Sequence, residues 1–324
     1  MRNFIPSFLY RFLKKAYYAM KLAPYYFYWF KFDIQCSNLF DTEKADLTGI
    51  LVAGHVLEKG LTMPEFRPGF GYNRVRYVIA KSLALINKYG NNRIEIQSAL
   101  KDLEQYLQIH KQKGFELPED VEKGIVNLLK YKIIDTEPCH SVKAIDYFKK
   151  TNDFKEFAKQ RHSVRWYTKE NVDNETLVEV VKLAQTAPSA CNKQSTKVYI
   201  IGSDDVKAKV LNIQRGNRGF GCRANKILLV TSDMECWNFQ FRTSAFLDGG
   251  IFVQNLLYSL HCYNIVACTL NAELSPKEIR QLKDIIKLKK SEIPIAFIAV
   301  GYAPEVFLYP GSQRKKVENI IEFV

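Results

Sequence analysis

The feature that most constrains the fold of this chain is a change of sequence pattern near residue 157. After this point, four short runs rich in β-branched residues alternate with longer amphipathic stretches. Runs of this length and composition predict strands, and the longer stretches predict helices. The predicted strands are 198–201, 227–230, 265–268 and 295–300, and the predicted helices are 173–186, 204–213, 240–262 and 275–287. This order permits a parallel α/β sheet, but an α+β fold presents the same alternation.

The first 150 residues show helical periodicity and helix stop signals instead. A helix is predicted to begin near Asp41 and Thr42, which can cap it, and to end at Gly60. Three more are predicted: one with apolar residues between 75 and 86, one over 94–113, and one opened by Pro118. We therefore place a boundary near residue 155, between a mostly helical N-terminal region, 1–155, and a second domain, 156–324.

Charge is unevenly distributed along this chain of net charge +13. Residues 1–32 contain six Lys or Arg, no acidic residue and 13 aromatic residues, whereas 33–160 contain 19 basic and 18 acidic residues. The charges interrupt any apolar run long enough to span a bilayer or to form a signal peptide core. Residues 1–32 either lie on an anionic membrane surface or pack against the helical region or a partner chain. Co-sedimentation with anionic liposomes, compared with a chain starting at Asp33, separates the two interpretations.

The seven cysteines form no Cys-x-x-Cys pair and have no histidines at zinc spacing. An odd number of cysteines in a long chain is typical of reduced thiols in a cytoplasm, and it argues against a secreted disulfide framework. We expect a cytoplasmic protein without a metal, with peripheral contact at the inner membrane as the alternative. A nucleic-acid-binding role ranks last, because the middle of the chain is near neutral and carries no matching motif.

The segment Arg161-His162-Ser163-Val164-Arg165 places two guanidinium groups and a hydroxyl within five residues. Arginine offers a rigid fork of donors to phosphate oxygens, and serine adds a short hydroxyl donor. The segment is therefore a candidate phosphate site, although basic residues before a helix are commonly just solvated.

A second candidate segment, Ala187-Pro188-Ser189-Ala190-Cys191-Asn192-Lys193-Gln194, forms a turn between a predicted helix and a predicted strand. Asn and Gln amides both donate and accept hydrogen bonds, which suits the O2, N3 and O4 edge of an isoalloxazine ring. The alternative is a helix stop followed by ordinary polar turn residues.

Taken together, the two segments and the helix between them resemble the opening of the nitroreductase family of FMN-dependent oxidoreductases. Gly301-Tyr302 after the last strand, the basic cluster Arg314-Lys315-Lys316 and the closing Val317-x-x-Ile320-Ile321-x-Phe323 resemble the C-terminal end of that family. The resemblance covers residues 161–324. It implies an α+β three-layer sandwich with a central, mostly antiparallel sheet. It also implies an intertwined homodimer with FMN at the subunit interface and the C-terminal strand exchanged.

The resemblance also implies roles for individual residues. Arg161, His162, Ser163 and Arg165 match the positions that hold the ribityl phosphate and the pyrimidine side of the flavin. The loop that lines the ring matches Pro188, Ser189, Asn192 and Gln194, and the distal basic residues match Arg314 and Lys315. The flavin itself carries the hydride chemistry, so no protein nucleophile is expected. Arg165 is expected to stabilise negative charge on the reduced flavin.

This chain departs from the family pattern at two places. Ser195-Thr196 stands where family members commonly have Pro-Trp, and Tyr263-Asn264-Ile265 stands where they have Gly-Leu-Gly. We expect residues 267–271 to lie near flavin N5. The resemblance implies ping-pong transfer of hydride from NADH or NADPH through FMN to a small-molecule acceptor that the sequence does not identify. The departures leave a second hypothesis open, a flavin-binding or flavin-less accessory protein of a membrane-associated biosynthetic assembly.

One motif in the helical region, His55-Val56-Leu57-Glu58-Lys59-Gly60-Leu61, places His55 and Glu58 on one helical face. This is half of a carboxylate-bridged metal pattern, and the second half is missing. A structural pair at the domain interface and a lid contact over the flavin are the favoured alternatives. Together with the C-terminal half, the motif resembles nitroreductase-like proteins encoded among bacterial surface-polysaccharide genes.

Overall fold

In a computed structural model of the chain, the described residues are 8–10, 12–17, 20, 43–133, 139–237 and 243–324. Residues 8–10, 12–17 and 20 are helical, and Phe8, Phe12 and Met20 are exposed. The rest of the basic, aromatic segment 1–32 and the predicted caps Asp41 and Thr42 lie outside the described residues. None of the described helices is both long and apolar enough to cross a bilayer.

Four helices form an N-terminal unit: α1 (Glu43–Leu61), α2 (Tyr72–Tyr89), α3 (Ile94–Gln112) and α4 (Glu119–Leu129). Each has an apolar stripe at helical spacing, and the stripes meet in one core. Fully or almost fully buried core residues are Ile50, Leu57, Val78, Leu100, Leu103, Tyr106 and Ile125. All four helices predicted before residue 130 are present, and α1 continues one residue beyond Gly60.

Inside this unit, His110 holds the loop between α1 and α2. Its Nε2 accepts a hydrogen bond from the Gly69 N–H at 3.0 Å, and its Nδ1 lies 2.6 Å from the Tyr106 carbonyl. Gly69 has a φ of 71°, in the left-handed region that favours glycine. Because Nε2 accepts, the imidazole is neutral, and burial lowers the pKa of His110.

The second half of the chain contains a four-stranded antiparallel sheet in the order β2-β3-β5-β4. Two strands that the sequence analysis did not predict, β1 and β6, pair antiparallel with each other. The strands are β1 (Cys139–Lys143), β2 (Thr196–Ile201), β3 (Lys226–Asp233), β4 (Val266–Leu270), β5 (Glu292–Gly301) and β6 (Val306–Pro310). The helices are α5 (Ala144–Tyr147), α6 (Phe154–Gln160), α7 (Asn174–Ala184), α8 (Asp204–Ile213), α9 (Ser244–Cys262) and α10 (Pro276–Ile286).

Helices cover both faces of the four-stranded sheet. Alternate residues of the central strand β3 point to opposite faces: Leu228 and Val230 pack with α7 and α9, whereas Ile227 and Leu229 pack with α8 and α10. Since β3 and β5 are central and covered on both sides, they read as almost continuous apolar runs. The result is a three-layer sandwich.

The α+β class, the mostly antiparallel sheet and the helical N-terminal region are therefore confirmed, and the open alternative of a parallel sheet is eliminated. The predicted helix 240–262 is observed over Ser244–Cys262, with Thr243 as its N-cap, and residues 240–242 lie outside the described part. The boundary near residue 155 stays a prediction. Strand β1 precedes that boundary and its partner β6 follows it.

Candidate functional site

The segment 161–165 runs along the outer edge of β4. The Val164 N–H donates to the Ala267 carbonyl at 3.0 Å, and Ser163 forms a parallel bridge with Ala267. The Val164 side chain is fully buried with Val266 and Phe307, which fixes this short stretch in place. The candidate phosphate segment is thereby held against residues 267–271, the region predicted to lie near flavin N5.

Arg165 is buried, with 6% of its surface exposed. Its guanidinium carbon lies 5.6 Å from the centroid of the Phe220 ring. Its Nε and Nη1 are buried and have no hydrogen-bond partner within the described part of the chain. A buried charged donor without an acceptor costs at least about 1–3 kcal/mol, so this environment favours an anionic ligand.

The nearest thiol, that of Cys268, responds to this charge. Burial raises the pKa of Cys268, and the positive charges of Arg165, Lys59 and Arg161 oppose the rise. The thiol thus lies within electrostatic reach of three cationic side chains drawn from two distant parts of the chain.

Arg161 lies beside two imidazoles. Its Nε is also buried without a partner among the described residues. Burial lowers the pKa of His162, and the charges of Arg161 and Arg314 lower it further. Burial also lowers the pKa of His261, to about 4, with Arg161 again contributing. Both imidazoles are therefore neutral near pH 7, and the fixed charge here belongs to the arginines.

The C-terminal basic residues are fixed by contacts within their own segment and with the helical unit. Arg314 Nη1 donates to the Ser312 carbonyl at 3.0 Å, and Arg314 lies close enough to His162 to affect its pKa. Lys315 Nζ pairs with Glu95 Oε1 of α3 at 3.0 Å. Arg314 thus lies on the Arg161 side of the site, while Lys315 is engaged by the helical unit.

Glu58 anchors this C-terminal segment. Its Oε1 accepts a hydrogen bond from the Ser312 N–H at 2.7 Å, and its Oε2 lies 2.9 Å from His55 Nδ1. No group of three potential metal ligands occurs in the described ranges. His55 and Glu58 contact each other where the helical unit meets the C-terminal segment.

The turn 187–194 lies elsewhere on the sandwich. Pro188, Ser189 and Gln194 line a cavity of about 490 Å³ between α7, α9 and β2. The Gln194 side-chain amide donates to Asn192 Oδ1 at 3.1 Å, and both residues have positive φ. Asn192 and Gln194 are exposed, so their remaining donors and acceptors face outward.

In one chain the two candidate segments lie at diagonally opposite corners of the sheet. Ser163 lies beyond β4, whereas the turn leads into β2 at the other edge. Across the strands this separation is roughly 20 Å, and the register adds a similar distance along them, because Ala267 is level with Val300 and Thr196 with Ile293. The structure brings Arg161, His162, Ser163 and Arg165 together with Arg314. It does not bring them to Pro188, Ser189, Asn192 and Gln194 of the same chain.

Sequence reasoning missed three residues near Arg161 and Arg165. His140 of β1 affects the pKa of His162, its ring centroid lying 5.4 Å from that of Tyr309. On the Arg165 side of the site, the Phe220 ring lies next to the Arg165 guanidinium, and Lys59 Nζ lies next to the same ring. These residues come from three segments far apart in the sequence, so no spacing rule could have linked them to the arginines.

Comparison with known proteins identifies the segment that contains both motifs. Residues 158–217 match the model of the Nitroreductase family. The match includes the arginine–serine segment, α7, the turn and β2, and it ends before β3. The matched residues thus form a continuous part of the sandwich, from one candidate segment to the other.

Individual proteins and solved structures are similar to parts of this chain. An iodotyrosine deiodinase of Haliscomenobacter hydrossis is 24% identical over 195 residues, which are 51% of this chain and 86% of that protein. A Bacillus subtilis protein named "Putative NAD(P)H nitroreductase YdgI" is 33% identical over 86 residues, 26% of this chain and 41% of that protein. A crystal structure titled as a "putative nitroreductase in complex with fmn", from Desulfovibrio desulfuricans, is 24% identical, with a TM-score of 0.45, covering 53% of this chain and 96% of that one.

Proposed function

We propose that residues 156–324 bind FMN and act as an NAD(P)H-dependent oxidoreductase domain of the nitroreductase type. The observation that carries the proposal is the set of buried, unpartnered donors on Arg161 and Arg165. They lie within the segment that matches the family model. A phosphate or a flavin pyrimidine edge offers the acceptors that these donors lack.

In this proposal each side chain has a defined task. Arg161, Ser163 and Arg314 hold the phosphate, with His162 as a neutral neighbour, and Arg165 faces the pyrimidine edge. When bound, FMN would take a hydride, two electrons and one proton, from NADH or NADPH and pass two electrons to a small-molecule acceptor in a ping-pong sequence. The protein contributes binding, orientation and positive charge.

The turn residues Pro188, Ser189, Asn192 and Gln194 join the site in this proposal only across a dimer interface. Two observations support a homodimer. The outer edge of β2 has no strand partner among the described residues, and an open strand edge is a template for a strand from another chain. The C-terminal segment is the candidate to pair there in a second copy, since Ile320, Phe323 and Val324 are exposed, Phe323 by 96%.

A non-catalytic, flavin-binding accessory role is the second candidate. It is favoured by Ser195, which departs from the family pattern and whose buried hydroxyl is 2.9 Å from the Ser232 hydroxyl. A hydrogen-bonded serine pair thus occupies a place beside the turn where relatives commonly carry bulkier residues. The two roles differ in turnover and share flavin binding.

The test is the flavin content of the purified protein and its response to NAD(P)H. We expect a yellow protein whose flavin absorbance bleaches anaerobically with NADH or NADPH and returns on adding an acceptor. Arg165→Ala is expected to weaken FMN binding by roughly tenfold or more, since a hydrogen bond to a charged group contributes about 1.5–3 kcal/mol. Fluorescence titration measures this change.

Arg223→Ala serves as the matched control, because Arg223 pairs with Glu65 at the surface and is not part of the site. A yellow protein that NAD(P)H does not bleach supports the accessory role. A folded wild-type protein with no affinity for FMN, or an Arg165→Ala protein with full flavin content and turnover, contradicts the proposal.

A further inference from the structure

Lys59, near the C-terminal end of α1, extends from the helical unit toward Arg165. Its Nζ donates to the Gly216 carbonyl at 2.6 Å and lies 5.1 Å from the centroid of the Phe220 ring. The Arg165 guanidinium lies 5.6 Å from the same centroid. Phe220 is fully buried, so two cations from different halves of the molecule share one aromatic contact.

Within the described ranges, Lys59 forms no ion pair with a carboxylate. Burial lowers the pKa of Lys59, and the charge of Arg165 lowers it further, while the Cys268 thiol acts in the opposite direction. The neighbouring Glu58 carboxylate contacts Ser312 and His55 instead. Two like charges held together at a partly buried place destabilise each other unless an anion lies between or beside them.

Arg165 shows where such an anion would bind. Its Nε and Nη1 are buried donors that find no partner in the described part of the molecule, and Arg165 is more than nine-tenths buried. Since Lys59 and Arg165 both affect the Cys268 thiol, they lie on the side of the site where Ala267 and Cys268 meet the arginine segment. Arg165 is the residue that the proposed function places at the pyrimidine edge of the flavin.

We propose that Lys59 acts with Arg165 as a charge-stabilising residue for the anionic pyrimidine edge that FMN acquires on two-electron reduction. The inference rests on the proposed function and deepens it, because it makes the helical unit a direct contributor to the flavin site. Oxidised FMN is neutral at this edge, so Lys59 favours the reduced form selectively. The loss of one nearby charge changes the equilibrium between oxidised and reduced FMN by roughly tenfold.

The experiment compares Lys59→Met, which keeps the length of the side chain and removes the charge, with Lys59→Arg, which keeps the charge. Lys209→Met is the matched control, since Lys209 is exposed and pairs with Asp205 on α8. The dissociation constant of FMN is measured for the oxidised and, anaerobically, for the reduced form. Thermal unfolding verifies that each variant is folded.

We expect Lys59→Met to weaken binding of reduced FMN about tenfold relative to oxidised FMN. For a two-electron couple this lowers the midpoint potential by about 30 mV. Lys59→Arg and Lys209→Met are expected to match the wild type. Equal weakening of both forms, or no change, overturns the inference while leaving FMN binding intact. A folded wild-type protein that does not bind FMN overturns the proposed function and this inference together.

Discussion

At the residue scale, His261 illustrates how burial and a nearby cation set the behaviour of the site. It is enclosed by the rings of Tyr147, Phe148 and Phe157, with centroids 5.1 to 5.2 Å away. Burial, aided by the charge of Arg161, lowers its pKa to about 4. The imidazole therefore packs as a neutral ring, and it leaves Arg161 as the charged donor.

This arrangement predicts that the folded protein loses stability at acidic pH. Because the pKa of His261 is lower in the folded than in the unfolded chain, its contribution to stability is fully present above about pH 6.5 and is lost as the pH falls toward about 4. His261→Phe is expected to remove about 2 kcal/mol of the change in the free energy of unfolding between about pH 7 and about pH 5. Urea unfolding of both proteins at about pH 7 and about pH 5 measures the difference. Parallel pH profiles for the wild type and His261→Phe would contradict this account.

Much of the candidate site was predictable at this scale, and some of it was not. Arg161, Ser163 and Arg165 lie within five residues of the sequence, so their types and spacing made them a candidate anion site. The position of Cys268 near Arg165 is apparent only from the structure, where the Val164 N–H donates to the Ala267 carbonyl, a contact between residues more than 100 positions apart. Residues such as Lys59 join the site through tertiary packing, which local patterns do not encode.

At the scale of elements, α1 determines where the C-terminal segment lies. Glu58 accepts from the Ser312 N–H, and Ser312 has a φ of 47°, so the backbone turns at this contact. Lys315 adds an ion pair with Glu95 of α3. The helical unit thus fixes the segment that carries Arg314.

Glu58→Ala is expected to release that segment. Removing a buried acceptor leaves the Ser312 N–H unpaired, a cost of about 1–3 kcal/mol, which corresponds to amide exchange at Ser312 roughly ten times faster or more. Glu58→Gln keeps an acceptor oxygen and should lie closer to the wild type. Hydrogen exchange followed by mass spectrometry measures both. Unchanged exchange in Glu58→Ala would show that the hydrogen bond does not hold the segment.

The elements themselves were predicted well where their patterns are strong. Strands β3 and β5 lie between two layers of helices, so they carry unbroken apolar runs that a sequence reader can identify. Strand β1 was missed because its exposed residues Ser141 and Lys143 are polar, and β6 was missed because it is only five residues long and pairs with a strand more than 150 residues earlier in the sequence. The order of the strands in the sheet could not be predicted from the sequence, since it depends on contacts between segments distant in the sequence.

At the scale of the whole molecule, the exposed C-terminal segment predicts self-association. Deleting residues 317–324 is expected to convert a dimer into a monomer, because the segment would no longer cover the open edge of β2 in a second copy. Light scattering coupled to size-exclusion chromatography measures the mass. Glu318→Lys, which changes an exposed charge and keeps the apolar residues, is the control. A full-length chain that is monomeric at micromolar concentration would contradict the proposed dimer.

The diagonal separation of the two candidate segments has a genetic consequence. In the proposed dimer each catalytic pocket draws on both copies, so a chain damaged at Arg165 and another damaged at Gln194 carry complementary defects. A mixed pair of such chains would contain one doubly damaged pocket and one intact pocket. Two inactive alleles expressed together would then rescue each other, up to about a quarter of normal output if subunits pair at random and dimerise as usual.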